Sequence, residues 1–207
     1  MAPQLSEDEI DDLLYAARTG DTDELTALLS SLAEREKVSP AEILASARDE
    51  GKSTCLHMAT GNGHVETVSL LLSHFASRPD GERQAFVDAA NEYGNTGLHW
   101  AALGGHLAVV RLLVERGGAS VALANDKNYV PLDLASFGDK ADVVDYFLAR
   151  SGGLEGENGL DGAVAGVSLE EGEEGEQGEE EGEEDAEGES KGKGKAGEEG
   201  SRAAYDG

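Results

Sequence analysis

Cysteine is almost absent. Of 207 residues only Cys55 carries a thiol, so no internal disulfide can staple the fold and a reducing compartment is expected. Long apolar runs are missing too; nothing approaches the roughly 20 residues that span a bilayer. The opening MAPQLSEDEIDD lacks the basic-then-apolar order of a secretory signal. There is no N-x-S/T sequon and no C-terminal prenylation box. Basic residues are scarce as well: 16 Lys and Arg stand against 43 Asp and Glu, a net charge of −27. Such a chain is repelled by nucleic-acid phosphates and by anionic lipid, and attracts basic partners over long range at low salt. The expectation is a soluble protein of the cytoplasm and nucleus that binds neither nucleic acid nor membrane directly.

The charge divides the chain. Residues 1–150 hold 24 acids and 12 bases, whereas 151–207 hold 19 acids and 4 bases. The second stretch, with its GEEGEQGEEEGEED run, has no hydrophobic periodicity, and glycine interrupts the glutamates every few positions. Low hydrophobicity with high charge predicts a disordered acidic tail over 151–207.

Ahead of that tail the chain repeats. Leu56-His57-Met58-Ala59 aligns with Leu98-His99-Trp100-Ala101, and seven residues after each Leu stands Gly63 or Gly105, followed by His64 or His106. Val65, Val68, Leu71 and Leu72 follow in one copy, and Leu107, Val110, Leu112 and Leu113 in the other. PLDLASFGDKADVVDYFL is a weaker copy with its glycine one place early at Gly138, and LLYAARTGDTDELTALL, anchored on Leu13, Ala16 and Gly20, leads the series. The period is about 33–34 residues, with insertions after the first two copies. Each copy reads as two short helices broken at glycine, for example 97–103 and 107–115. The SPAEIL stretch adds a helical turn near Pro40, and Phe86 and Val87 follow a turn at Pro79-Asp80-Gly81. One helix pair cannot bury its apolar face alone, so the copies must stack. The predicted organisation is an N-terminal extension (1–8), an all-α solenoid of three to four repeats over 9–150 (about 10–51, 52–93, 94–127 and 128–150), and the tail.

The pattern T-x-L-H-x-A…G-H-x-x-x-V…L-L resembles the ankyrin repeat. Thr54, Leu56, His57, Ala59, Gly63, His64 and Val68 carry it once, and Thr96, Leu98, His99, Ala101, Gly105, His106 and Val109 carry it again. The layout, with VVDYFLAR leading into an acidic tail, is similar to a group of small fungal ankyrin proteins. These chaperone the small-subunit ribosomal protein three, a basic KH-domain protein near the path by which mRNA enters. The resemblance implies a monomer that binds this client before assembly, keeps it soluble and accompanies it into the nucleus. Another class of function, an ankyrin adaptor in signalling or transcription with the tail as a solubility or degradation segment, predicts a partner that need not be basic.

Four histidines in matched pairs invite a metal reading. Zinc helices, however, place histidines at i, i+4, and a spacing of seven across a turn does not put both rings on one face. Recurrence with the repeat points to scaffold instead. The ankyrin resemblance pairs Thr54 with His57 and Thr96 with His99 at first-helix starts. It gives His64 and His106 the same task at second-helix starts. No convergent acid, base and nucleophile set is visible, so neither enzyme activity nor a cofactor is expected. Cys55 reads as a small core-edge residue and Trp100 as a core residue. Partner-binding positions carried over from the family are the hairpin tips and the exposed side of each first helix. They are Glu50, Gly51, Ser53, Gly61 and Asn62; then Glu92, Tyr93, Asn95, Leu103 and Gly104; then Asp126, Lys127, Tyr129, Phe137 and Gly138. Among them Tyr93, Leu103, Tyr129 and Phe137 suggest an apolar anchor rimmed by acids.

Overall fold

The structure, a computed structural model, describes residues 3–157. These fall within the first of the chain's two units, Met1–Asp161. The acidic stretch beyond them, predicted as disordered tail, lies outside the described residues.

Ten α-helices make up the described residues, with no strand beyond a single antiparallel bridge between Arg48 and Thr54. Four pairs follow the repeats: α1 (Glu7–Thr19) with α2 (Thr22–Glu36), α4 (Cys55–Gly61) with α5 (Val65–Ser73), α7 (Gly97–Gly104) with α8 (Leu107–Arg111), and α9 (Pro131–Phe137) with α10 (Ala141–Glu157). The first helices, α1, α4, α7 and α9, stack in sequence as an inner row. Leu13, Leu56 and Leu98, the repeat anchors, are fully buried between them, and Leu25, Val68, Leu71, Val109 and Leu113 fill the space to the outer row.

The insertions are helices in their own right. Pro40 opens α3 (Pro40–Ser46), where the Ser39 hydroxyl accepts the Glu42 N–H and the Glu42 carboxylate accepts the Ser39 N–H. This reciprocal cap satisfies two donors that a helix start leaves orphaned. The Pro79-Asp80-Gly81 turn is the first turn of α6 (Asp80–Val87). Its Phe86 stacks on Phe75 with ring centroids 4.0 Å apart. The Asp88 carboxylate just beyond α6 accepts the Ser120 N–H at 3.0 Å, which ties this insertion to the loop of the next repeat. The helix begun at Leu107 passes into a π-helical turn, Leu112–Gly117, whose wider spiral turns Leu112, Leu113 and Val114 all inward.

Both expected boundaries shift. Residues 3–8 are not a free extension: α1 starts at Glu7 with a Ser6–Glu9 capping box, Leu5 packs on the core, and the Gln4 N–H donates to the Glu36 carboxylate at 2.9 Å. Arg35 pairs with Glu9 and Glu36 on the same corner. Its hydrogen bond holds the Glu9 carboxyl well below the usual carboxylate range, at about 2. At the other end α10 continues past residue 150 to Glu157.

Candidate functional site

Between repeats the chain forms three equivalent tips. In each, the first residue's N–H donates to the carbonyl four residues on: Asp49 to Ser53 (3.1 Å), Asn91 to Asn95 (2.9 Å) and Asn125 to Tyr129 (2.9 Å). The side chain of that first residue folds back to accept tip N–H groups, those of Ser53, of Tyr93 and Asn95, and of Lys127 and Tyr129. Asp and Asn do this because a short carbonyl arm reaches its own backbone two to four residues on. The fourth tip position takes positive φ in all three, at Lys52, Gly94 and Asn128. Successive tips are laced together: Glu92 N–H donates to the Gly51 carbonyl at 2.8 Å, and Asp126 N–H to the Tyr93 carbonyl at 3.1 Å. The result is one continuous ridge. Its second positions are Glu50, Glu92 and Asp126, all exposed, so three carboxylates repeat along it.

The inner row lies beside this ridge. Tyr93 is 62% exposed and Phe137 63%, with Leu103 and Tyr129 also exposed. Tyr129 meets Phe137 edge-on, centroids 5.0 Å apart. Glu92 beside Tyr93 accepts its hydroxyl hydrogen bond and, with its charge, holds the phenol above its ordinary value. All four apolar candidates from the sequence therefore face solvent, on one side of the stack and next to the acidic ridge. Glu50, Asn62, Glu92, Asp126 and Lys127 are exposed with them.

Several expected site residues are placed otherwise. Ser53 is buried, its N–H and carbonyl both used in closing the first tip. Asn95 is half-buried; its carbonyl accepts from His57 and its side-chain oxygen from Asn125 at 2.7 Å. Both are structural. Trp100 is not core: it is half-buried, lies over Gly61 and meets the His57 ring edge-on at 5.8 Å. A Cβ on Gly61 would stand 2.7 Å from the indole, so that glycine is a seat rather than a contact point. Tyr15, on α1, was not singled out by sequence, yet among the described residues it is the most exposed large apolar side chain at 68%. It stands two places after Leu13, as Trp100 does after Leu98, and that register could have found it.

The histidines form a lattice within and between repeats. His57 Nδ1 accepts the Thr54 N–H at 3.1 Å, and Nε2–H donates to the Asn95 carbonyl at 2.8 Å. His99 does the same with Thr96 at 3.1 Å and Tyr129 at 3.1 Å. A backbone N–H only donates and a carbonyl only accepts, so the partners fix one neutral tautomer. Burial holds both imidazoles below their ordinary value. His64 and His106, expected to serve the second helices, reach backwards instead. Their Nε2 atoms donate to the Arg18 carbonyl (2.8 Å) and the Gly61 carbonyl (3.0 Å), at the end of the preceding repeat's first helix. Each ring rests on the preceding left-handed glycine, Gly20 or Gly63, where a Cβ would come within 2.7 or 2.6 Å of it. Cys55 is fully buried, and burial pushes its thiol up to about 12.

The profile of ankyrin repeats (three copies) matches residues 13–122 and 82–156. The ankyrin repeat-containing protein YAR1 of Saccharomyces cerevisiae is 40% identical over 147 residues, covering 70% of this chain and 71% of that protein. A chain in the crystal structure of the yeast ribosomal protein Rps3 in complex with its chaperone Yar1 superposes with a TM-score of 0.65 at 34% identity, over 71% of this chain and 95% of the other.

Proposed function

The chain belongs to the ankyrin-repeat family, and from that premise we propose that it is a dedicated, non-enzymatic chaperone of a basic small-subunit ribosomal protein, the counterpart of Rps3. The observation that carries this reading is the similarity to YAR1 at 40% identity, together with the likeness to a chain of the Rps3–Yar1 complex. The site supplies the chemistry. Exposed Tyr93, Leu103, Tyr129 and Phe137 give an apolar anchor, and Glu50, Glu92 and Asp126 give a rim of the right sign for a basic client. Desolvated aromatic anchors supply affinity, while rim charges steer encounter and orientation.

The glutamates beyond residue 157 act as a soluble polyanion that occupies client sites meant for phosphate, so this part of the binding weakens steeply with salt. The protein works as a monomer, without a cofactor, in the cytoplasm and nucleus, and delivers its client to ribosome assembly. Affinity purification from native cytosol at low salt tests the reading. One basic small-subunit ribosomal protein should be recovered in stoichiometric amount without the rest of the ribosome. Recovery of a neutral or acidic regulatory partner in its place overturns it.

A further inference from the structure

The N-terminal end of the inner face contains a hollow to which neither the repeat motif nor the client role assigns a task. Asp11, Leu14, Tyr15, Arg18, Asp49 and Met58 line a space of about 260 Å³ between α1, α4 and the first tip. A second hollow adjoins it, shares Asp11 and Asp49, and adds Glu7, Ile10 and Glu50. The buried face of α1 is made by Leu13, Leu14, Ala16 and Ala17, whereas Tyr15 is exposed and lines the hollow. The first space lies below the roughly 300–1,000 Å³ of small-molecule sites and suits one side chain, whereas the adjoining hollow lined by Glu7 and Glu50 is larger, about 580 Å³.

Charge selects the occupant. Glu7, Asp11, Asp49 and Glu50 surround the two hollows, against Arg18 and Arg48. Arg18 Nη2 donates to Met58 Sδ at 3.3 Å within the first hollow, and Arg48 Nη1 to the Ala90 carbonyl at 3.5 Å, so four carboxylates outnumber two guanidiniums and the hollows are net acidic. Among the described residues no ion pair engages Glu7, Asp11 or Glu50. An aromatic ring and a thioether for the stem, with unpaired carboxylates for the head, match a long cationic side chain.

We propose that this hollow, centred on Tyr15 and Asp11, is a docking subsite for a lysine or arginine side chain of the client and anchors it at the N-terminal end of the inner face. The proposal rests on the reading of the chain as a chaperone of a basic protein. Binding of the purified ribosomal client to the full chain, measured by titration calorimetry, tests it first. Tyr15→Ala should weaken binding about tenfold and Asp11→Asn about threefold, the latter with a shallower salt dependence. Glu34→Gln, on the outer helix α2, should leave it unchanged. Both side chains of the subsite are exposed, so unchanged thermal melts will show that the variants fold. Wild-type affinity in both subsite variants overturns the proposal.

A second readout separates the subsite from the identity of the client. A synthetic peptide of alternating arginine and leucine, titrated into the isotope-labelled chain, should shift the backbone amide resonances of Asp11, Tyr15, Asp49 and Met58. Arg18→Gln removes a like charge and should strengthen that binding about twofold. If the ribosomal client fails to bind wild type but the peptide shifts these resonances, the chaperone reading falls and the subsite stands. If the peptide leaves them unmoved, or if Arg18→Gln weakens its binding as an anion site requires, the subsite falls.

Discussion

Gly63 bears two constraints at once, and replacing it with alanine measures both. Its φ of +77° lies in the left-handed region, and a Cβ there would stand 2.6 Å from His106 Nδ1 and 2.9 Å from Cε1. Alanine in that conformation costs about 1–2 kcal/mol. The methyl group also displaces the imidazole, which breaks the 3.0 Å bond from Nε2–H to the Gly61 carbonyl. An orphaned carbonyl at a helix end costs about 1–3 kcal/mol more. The expected loss is therefore about 2–5 kcal/mol, a large part of the roughly 5–15 kcal/mol that holds a domain folded. Gly118→Ala is the matched comparison: φ is +75°, but the nearest atom to its Cβ would be Gln84 Oε1 at 3.8 Å. It should cost only the conformational part, about 1–2 kcal/mol. Both replacements restrict the unfolded chain alike, so that contribution cancels in the difference. Urea unfolding followed by circular dichroism and by the fluorescence of Trp100, the single tryptophan, gives both values. In a His106→Ala background the excess penalty of Gly63→Ala should vanish. If Gly63→Ala costs no more than Gly118→Ala, or if the excess survives removal of the ring, the inter-repeat seat is not what this glycine is for.

Four further outcomes follow from the same geometry. His57 and His99 are held neutral in the folded chain, so below about pH 6.5 the unfolded chain binds more protons. Stability is complete above that pH and falls as pH drops, by at most about 1.4 kcal/mol per pH unit for each histidine. Urea midpoints between about pH 7.5 and about pH 5.5 check this, and His99→Gln should flatten the slope. Asp139 sits at φ +53°, where Asp139→Gly should raise stability by about 0.5–1 kcal/mol, read from the same urea curves. Phe86→Ala removes one ring of the buried stack on Phe75 and should cost about 3–4 kcal/mol without changing client affinity at matched temperature. Tyr93→Ala and Phe137→Ala should each weaken the client complex about tenfold while leaving the thermal melt in place.

Much of the fold is legible in the chain because repetition exposes it. Leu13, Leu56 and Leu98 recur with a glycine seven places on, and all three are fully buried anchors. The weaker copy misleads by one position. Gly138, read there as the repeat glycine, has φ −88°, and the left-handed residue in register is Asp139. Aspartate tolerates that region because its short polar arm bonds locally, so composition pointed to the wrong residue. Exposure of Tyr93, Leu103, Tyr129 and Phe137 follows from their register in the repeat. Ser53 and Asn95 share the register of Tyr129 and its tip-closing backbone bonds, yet Ser53 is buried and the Asn95 side-chain oxygen accepts from Asn125 of the next tip, which no pattern along one repeat displays.

By itself the sequence determined the repeat, the helix pairs and the acid excess, while the pairing of Thr54 with His57 and of Thr96 with His99 was implied by the ankyrin resemblance. Each of these depends on residues within one repeat or on totals. Only the tertiary structure decided what lies between repeats. His57 and His99 reach forward to the next tip, while His64 and His106 reach back to the preceding helix end. The departures from the motif then fall into place at the ends of the stack. Asp133 replaces the first histidine in the last repeat and accepts the Val130 N–H at 2.9 Å; among the described residues no further tip follows to receive a second bond. Lys140 replaces the second histidine and lays its stem over Gly105. In the first repeat Asp21 holds that register and accepts the Glu24 N–H instead. Hydrogen bonds between repeats join residues 30–46 apart in the chain, so their direction is set by how the repeats stack and not by any local pattern.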